Sequence, residues 1–287
     1  MRKFSPIVLV ALLVVAAVLG AGCVSNPSTS GGKLQLAGST SVQPHAEVLA
    51  RAFQGNNSGT QVYVQGGGSS AGIQAVGTGT ADIGMSSRAV KPSEMAAYPD
   101  LKPVAIAVDG IAIIVNPSNP VNTLTMNQTR DIFTGNITNW NQVGGPNAKI
   151  NVINREEGSG TRDGIQTIVL KGGNFDGGIV LSSTGAIRTG VSQDQNAIGY
   201  ISTAEIDSSV KAINIDGVAP TYTNIANRTY EIQRDFLFIT KGDPRGLASQ
   251  FINFTLGSGG QALLKADGLV SINDTQKNTS ATAPSSK

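Results

Sequence analysis

The stretch "KINVINREEGSGTRDG", residues 149–164, joins an alternating strand pattern to a Gly-Ser-Gly-Thr turn and a helix start. Arginines flank the turn at positions 155 and 162, and glycine lets its backbone approach a ligand closely. The first N–H groups of a helix have no partner within that helix, and the helix dipole favours negative charge there. The stretch is therefore typical of an oxyanion site on an α/β scaffold, although it also holds two acids, Glu156 and Glu157.

Two other turns have the same composition and the same place between a strand and a helix. They are Gly38-Ser39-Thr40-Ser41 and Gly68-Ser69-Ser70-Ala71-Gly72. One such turn alone is usually a plain helix cap, because Ser and Thr are favoured at helix starts. Ligands of open α/β sheets bind beyond the carboxyl ends of the strands. Three such turns therefore predict a shared anion site.

The order of the patterns indicates an α/β fold. "KLQLA" and "QVYVQ" alternate as strands do, and in "GSTSVQPHAEVLARAF" the apolar residues follow helical spacing. Strands that alternate with helices favour a parallel or mixed sheet with helices on its faces. Two long apolar runs, residues 104–117 and 230–240, are each interrupted by polar residues. They predict two domains between which the chain crosses twice.

The composition narrows the functional classes. The 287 residues include one Cys and one His, which excludes a Cys/His zinc cluster and an internal disulfide. With a single histidine, the sequence gives little support for acid–base catalysis by histidine. Without Arg2 and Lys3, 19 of the 21 basic residues remain against 19 acidic ones. This balance gives no support for binding nucleic acid.

The two ends of the chain predict an exported protein. Residues 1–22 combine a basic start with a short apolar segment, as a signal peptide does. The run ends at Cys23, which resembles the lipidated cysteine of a lipoprotein, although Gly20 stands where a large aliphatic residue is usual. Residues 23–32 are expected to form a flexible tether and residues 274–287 a disordered tail. We expect a protein on the extracytoplasmic face of the membrane, lipid-anchored or secreted.

An enzymatic alternative is weak. Gly68-Ser69-Ser70-Ala71-Gly72 fits the G-x-S-x-G nucleophile elbow of α/β-hydrolases, which requires a histidine after the serine in the chain. The single histidine, His45, comes before it. A phosphate-binding P-loop is excluded because no Gly-Lys-Ser or Gly-Lys-Thr occurs. We therefore expect a binding protein with no catalytic residues, no cofactor and no metal.

Eight ordered motifs between residues 33 and 272 resemble the PstS family, the phosphate-binding proteins of ABC transporters. They are "GSTSVQP", "GGGSSAGI", "ADIGMSSR", "VDGIAIIVN", "DIFTGNITNW", "REEGSGTR", "AIGYIS" and "GGQALLKADGL". The resemblance implies a two-lobed class II periplasmic-binding-protein fold, in which each lobe is a mixed sheet flanked by helices. Residues 33–112 plus 233–273 would form lobe 1 and residues 113–232 lobe 2, joined by two crossovers. The function implied is capture of inorganic phosphate and its delivery to the permease subunits of an ABC transporter, by a monomer.

The resemblance also assigns a phosphate site. The motif Arg-x-x-Gly-Ser-Gly-Thr places its arginine at Arg155, and the "GST", "GSS" and "MSS" segments supply hydroxyl and N–H donors. The expected phosphate-binding residues are Thr40, Ser41, Ser69, Ser87, Asp109, Arg155, Ser159, Gly160 and Thr161.

The residue that accepts the ligand's proton does not stand at the family's usual position. The family's usual aspartate is missing, because Ser86-Ser87-Arg88 stands in its place, and Asp109 is the expected replacement. A buried carboxylate would accept a hydrogen bond from phosphate and repel sulfate, which lacks the proton. Two alternatives remain open: a receptor for another tetrahedral oxyanion (sulfate, molybdate or tungstate), and a surface phosphate sensor.

Overall fold

A ten-stranded mixed sheet is the centre of the computed structural model, which describes residues 31–274. Along the sheet the strands follow the order β2-β1-β3-β11-β4-β8-β6-β7, and β9 and β12 also pair with β4. Strands β5 and β10 form a separate parallel pair. The predicted signal peptide, Cys23, most of the tether and the tail beyond residue 274 lie outside the described residues.

The strands are β1 (Lys33–Gly38), β2 (Gln61–Gly66), β3 (Ile83–Ser86), β4 (Leu101–Val115), β5 (Thr123–Leu124), β6 (Asn151–Arg155), β7 (Ile179–Leu181), β8 (Ala197–Ser202), β9 (Lys211–Ala212), β10 (Asn214–Ile215), β11 (Gln233–Lys241) and β12 (Val270–Ser271). The helices are α1 (Gln43–Asn56), α2 (Ser69–Thr78), α3 (Pro92–Ala97), α4 (Met126–Phe133), α5 (Gly160–Ile168), α6 (Thr184–Gln193), α7 (Tyr222–Ala226), α8 (Gly246–Leu256) and α9 (Ser258–Ala266). Two 3-10 helices cover Trp140–Val143 and Thr203–Glu205.

The local patterns explain the first elements. Residues of β1 alternate between exposed and buried, and α1 buries Ala46, Leu49 and Phe53 on one face, as helical spacing requires. A Pro at the start of α1 suits a first helical turn, where its missing N–H costs nothing. At the start of α2, Gly68 has φ +92°, a conformation that favours glycine. The α/β class expected from the sequence is confirmed.

Strand β4 explains how the turns meet. It is a single strand of 15 residues, so Asp109-Gly110 does not interrupt it. Its first part pairs with β11, in the register Arg234 opposite Asp109, and its last part pairs with β8, in the register Ser202 opposite Ile111. Within the sheet, strands β1 to β3 lie on one flank of β4 and run towards the level of Asp109. Strands β6 to β8 lie on the other flank and run towards that level from the opposite direction. The carboxyl ends of both groups therefore face each other.

Apolar packing supports each side of the sheet separately. Around β1, β3 and β11 a core forms from α1, α8 and α9, including the edge contact of Phe53 with Phe251. Around β8 and β6 a second core includes Trp140, Phe133 and Tyr200, all fully buried. The sheet is continuous through β11, β4 and β8. The division into two lobes therefore stays a prediction.

Candidate functional site

Four strand-turn-helix junctions, not three, meet where the strand ends face each other. The turns after β1, β2 and β6 are those expected from the sequence. The fourth lies between β7 and α6, where Ser183 caps α6 by accepting a hydrogen bond from the N–H of Ala186. Its sequence "LSSTGAIR" also places hydroxyl residues and a glycine between a strand and a helix. The same pattern could have identified it from the sequence.

Hydroxyl groups from these four turns, together with Ser87 after β3, form a connected hydroxyl cluster in which all members are buried except the half-buried Thr40. We define it as Ser39, Thr40, Ser41, Ser69, Ser87, Thr161 and Thr184. The Oγ of Ser41 lies 3.0 Å from Oγ1 of Thr161 and 2.9 Å from Oγ1 of Thr184. Ser39 donates to Ser87 over 2.9 Å. The cluster therefore joins residues from both sides of the sheet.

The hydroxyl groups in the turns after β1 and β2 do not cap the helices that follow them. Within residues 31–274, no side chain caps the first turn of α1 or of α2, although Ser and Thr there had suggested caps. Ser159, by contrast, caps α5 by accepting from the N–H of Arg162 over 3.3 Å. The predicted residues of the β1 and β2 turns thus contribute hydroxyls and N–H groups to the centre of the site. Ser159 and Gly160 bring the start of α5 to the same place.

Arg155 is the buried cation of the cluster, with 2% of its surface exposed. Its Nε and Nη2 donate to the two carboxylate oxygens of Glu156, both over 2.8 Å. Its Nη1 and Nη2 donate to Thr184 over 3.3 Å and to Thr40 over 3.1 Å. The N–H of Arg155 donates to the hydroxyl of Tyr200 over 3.1 Å, and burial raises the pKa of that phenol to about 12. Glu156 is therefore the ion-pair partner of Arg155.

Glycine at position 160 is required by close contact. A Cβ at Gly160 would lie 2.4 Å from Oγ of Ser69 and 2.5 Å from Oγ of Ser87. Nearby, the N–H of Ser70 donates to the carbonyl oxygen of Gly158 over 3.1 Å. The starts of α2 and α5 therefore touch through their backbones, and the hydroxyls of Ser69 and Ser87 lie against α5.

Asp109, whose role as the acceptor of the ligand's proton stays a prediction, is buried in an ion pair. The side chain is 1% exposed, and Nε and Nη2 of Arg234 both donate to its Oδ2, over 3.0 and 2.9 Å. Ser202 donates to Oδ1 over 2.7 Å and Thr203 over 3.3 Å. A carboxylate has about four acceptor positions, so these four bonds leave none for a ligand. Asp109 lies at the site but in an ion pair, because Arg234 stands opposite it in the strand register.

Arg234 is a site residue that the sequence analysis missed. It is 8% exposed, and its Nη1 donates to Oγ1 of Thr161 over 2.8 Å. Burial lowers its pKa, while the charge of Asp109 raises it. No local signal marks Arg234, because it lies 79 positions after Arg155 within an apolar strand; only the pairing of β11 with β4 brings it to the cluster.

A charged group beside the cluster connects the same two sides. Arg88 is 7% exposed, and its guanidinium donates to both oxygens of Glu94 over 2.6 and 2.7 Å. Its Nε lies 2.7 Å from Oδ2 of Asp163 in α5, and Nζ of Lys91 lies equally near that oxygen. Arg88 is thus engaged with carboxylates and does not contact the hydroxyl cluster through any described bond.

The described residues form neither a metal site nor a membrane-spanning helix. Among residues 31–274, no group of three or more His, Cys, Asp or Glu side chains is arranged to hold a metal ion. In the same part of the chain, no helix has the length and apolarity needed to cross a membrane. What the site offers is a set of N–H and O–H donors with two arginines, an arrangement that suits a small oxyanion.

Known proteins are similar to this chain along most of its length. Residues 24–258 match the family model described as a PBP superfamily domain. The phosphate-binding protein PstS of Bacillus subtilis (strain 168) is 32% identical over 258 residues, which cover 86% of each chain. A solved Clostridium perfringens phosphate ABC transporter substrate-binding protein with bound phosphate is 40% identical, with a TM-score of 0.79 over 84% of this chain and 99% of its own.

A second solved structure gives the same result. An ABC-type phosphate transport receptor from Vibrio cholerae is 38% identical, with a TM-score of 0.69 over 83% of this chain and 99% of that one. Both identity values, 40% and 38%, are well above the range in which only a fold is shared. The chain therefore belongs to the PBP superfamily and, within it, to the PstS family of phosphate-binding proteins.

Proposed function

We propose that this protein captures inorganic phosphate outside the cytoplasm and delivers it to the permease of an ABC transporter. The observation that carries the proposal is the buried hydroxyl cluster with Arg155, assembled at four strand-turn-helix junctions. Helix starts and hydroxyls donate hydrogen bonds, and an arginine adds a charge-assisted pair, which together match the oxygens of phosphate. The PstS relatives support phosphate as the ligand.

The roles follow from what each group can donate. Arg155 would pair with the anion through the edge of its guanidinium that faces Thr40 and Thr184. The turn at Ser159, Gly160 and Thr161 would donate the backbone N–H groups of Gly160 and Thr161, since the first N–H groups of α5 have no partner within the helix. The N–H of Ser159 already donates to the carbonyl oxygen of Glu156 over 3.2 Å. The hydroxyls of Ser41, Ser69 and Ser87 would complete the shell, together with Thr40. No residue takes a catalytic role in this proposal.

Ligand entry requires the two sides of the sheet to separate, because the cluster is buried. We assign residues 33–112 plus 233–273 to one lobe and residues 113–232 to the other. The chain crosses between them within β4 and just before β11, so the hinge would lie near residues 109–114 and 230–234. Small-angle scattering with and without phosphate tests this: a smaller radius of gyration with ligand supports closure, and an unchanged radius contradicts it.

The anchor and the assembly state complete the proposal. We propose that Cys23 is lipidated after removal of residues 1–22 and holds a monomer at the outer face of the membrane. Mass spectrometry of the membrane fraction should show acylated Cys23, and Cys23→Ser should release the protein. A Cys23→Ser variant that stays in the membrane fraction would refute the anchor.

Calorimetric titration of the purified protein tests the main proposal. Phosphate, sulfate and tungstate are titrated separately at neutral pH. Saturable phosphate binding with one site per chain is expected. Binding of tungstate without phosphate would instead identify a receptor for another oxyanion. If phosphate binds but a purified permease complex does not recognise the loaded protein, the transport role is wrong and a sensor role replaces it.

A further inference from the structure

Seven asparagines stand in the pattern Asn-x-Ser or Asn-x-Thr with no proline at x, the acceptor motif of N-linked glycosylation. They are Asn56, Asn127, Asn136, Asn227, Asn253, Asn273 and Asn278. Six of them lie within residues 31–274, and all six are exposed. Of the other thirteen asparagines in this part of the chain, only four are exposed. The motif is thus concentrated where a bulky sugar can be attached.

Five of the motifs lie wholly within residues 31–274, and in three of these the hydroxyl residue is exposed as well. The exposed pairs are Asn56 and Ser58, Asn136 and Thr138, and Asn227 and Thr229. The first pair ends α1, the second lies in the loop after α4, and the third follows α7. The bonds that Asn136 and Thr229 make to their neighbours are exposed, so water can replace them at little cost. A transferase can therefore reach both ends of these three motifs on the folded protein.

The other two motifs lie inside helices and hide their hydroxyl residue. Asn127 is in the first turn of α4, and Thr129 is fully buried and donates to the carbonyl oxygen four residues earlier over 2.9 Å. Asn253 is in α8, and Thr255 is fully buried and makes the same bond over 2.9 Å. A transferase that recognises the asparagine together with the hydroxyl would have to unwind either helix. These two motifs are therefore closed once the chain has folded.

Two of the open motifs lie far from the hydroxyl cluster. Helix α1 begins just after the first turn of the cluster and ends at Asn56, so roughly 20 Å of helix separates them. The loop of Asn136 adjoins the amino end of β6, where the N–H of Ile150 donates to the carbonyl oxygen of Thr138 over 2.8 Å. Arg155 lies at the opposite end of that strand. None of the four strand-turn-helix junctions contains the motif, so sugars at these two positions leave the anion site open.

We propose that the folded protein is N-glycosylated at Asn56, Asn136 and Asn227 and not at Asn127 or Asn253. The co-substrate is an oligosaccharide linked through phosphate to a membrane lipid. The Nδ2 atom of the asparagine forms a bond to the anomeric carbon of the first sugar, and the bond from that carbon to the phosphate oxygen breaks. The lipid phosphate keeps the bonding electron pair, and the amide nitrogen releases one proton to solvent. This modification goes beyond phosphate binding and depends only on export of the chain.

Mass spectrometry of peptides from the protein, purified from the cells that naturally produce it, tests each position separately. Peptides that contain Asn56, Asn136 and Asn227 should carry sugar, and peptides that contain Asn127 and Asn253 should have their unmodified mass. Sugar at the two helical positions would show that transfer precedes folding and would overturn the selection by the fold. Unmodified peptides at all five positions would overturn the inference altogether.

Variants of one loop motif test whether the motif itself directs the modification. Asn136→Gln and Thr138→Ala should each lower the intact mass by one glycan, and Thr138→Ser should retain it, because serine keeps the hydroxyl. Asn147→Gln changes an exposed asparagine outside any motif and is the matched control. A glycan that persists at Asn136 in Thr138→Ala would contradict recognition of the motif.

Calorimetry on the same variants separates this inference from the proposed function. The dissociation constant for phosphate in Asn136→Gln should stay within about twofold of the unaltered value, because exposed substitutions away from a site have small effects. A tenfold or larger change, with the Asn147→Gln control unaffected, would show that the glycan does not leave the anion site open. Glycans at the three loop positions together with absent phosphate binding would contradict the proposed function and support the glycosylation.

Discussion

Replacing Glu205 by glutamine should make the stability of the protein less dependent on pH. Glu205 ends the 3-10 helix after β8, and its Oε1 is buried without a hydrogen-bond partner among the described residues. Burial raises its pKa from 4.5 to about 7, against the opposing charges of His45 and Arg188. Asp109 raises this pKa further and Arg234 lowers it. Glutamine has the shape of the protonated acid but cannot ionise.

The size of the effect follows from the two pKa values. An acid whose pKa is raised on folding contributes stability that is complete below the unfolded pKa of 4.5 and is lost as the pH rises through about 7. A difference of roughly 2.5 units at about 1.4 kcal/mol per unit gives about 3 kcal/mol as an upper value. Glu205→Gln escapes this loss. At about 2–4 °C per kcal/mol for a chain of this size, its Tm should exceed that of the unaltered protein by up to roughly 6–12 °C at pH 8.

Thermal unfolding followed by circular dichroism at pH 4.5, 6, 7 and 8 measures the effect. The Tm difference between Glu205→Gln and the unaltered protein should be small at pH 4.5 and should grow steadily up to pH 8. Glu231→Gln makes the same chemical change at an exposed position and serves as the control. A difference that is constant over this range, or that grows towards low pH, would refute the reasoning.

Three further variants test the site and its surroundings. Arg155→Ala removes the buried cation and should weaken phosphate binding at least a hundredfold in calorimetry, since hydrogen bonds to charged groups contribute about 1.5–3 kcal/mol each; a loss under tenfold would contradict its role. Gly160→Ala places a Cβ 2.4 Å from the hydroxyl of Ser69 and should lower the unfolding free energy by about 1–3 kcal/mol, whereas Gly185→Ala, with open space around its Cβ, should not. Asp163→Asn breaks the contact with Arg88 across the site and should speed phosphate release in stopped-flow measurements by roughly tenfold, about 1.4 kcal/mol; an unchanged rate would show that this pair does not hold the sides together.

Much of the fold could be predicted because its signals are local. Alternation identified β1, and helical spacing identified α1, since each pattern depends only on which face of one element is buried. The turn at residues 158–161 was recognisable because glycine and hydroxyl residues between a strand and a helix form an anion-binding site at the helix start. Such features need no knowledge of what lies opposite them.

The bonding of Asp109 could not be predicted, because it does not depend on a local pattern. The sequence shows that Asp109 is a carboxylate near the crossover, but its partner is chosen by the register of β11 against β4. That register puts Arg234 opposite Asp109, and burial makes the ion pair obligatory, because an unpaired charge in the interior is costly. Thr184 was missed although its turn resembles the other three.

The sequence by itself determined the α/β class, the strand-turn-helix junctions and the anion-binding character of the Gly-Ser-Gly-Thr turn, because each follows from residues adjacent in the chain. Only the tertiary structure decided which hydroxyls meet and which charges cancel. Residues as far apart as Ser41 and Thr184 touch because β4 extends through both sides of the sheet and turns their strand ends towards each other. Contacts of this kind depend on pairing register and burial, which no single stretch of sequence contains.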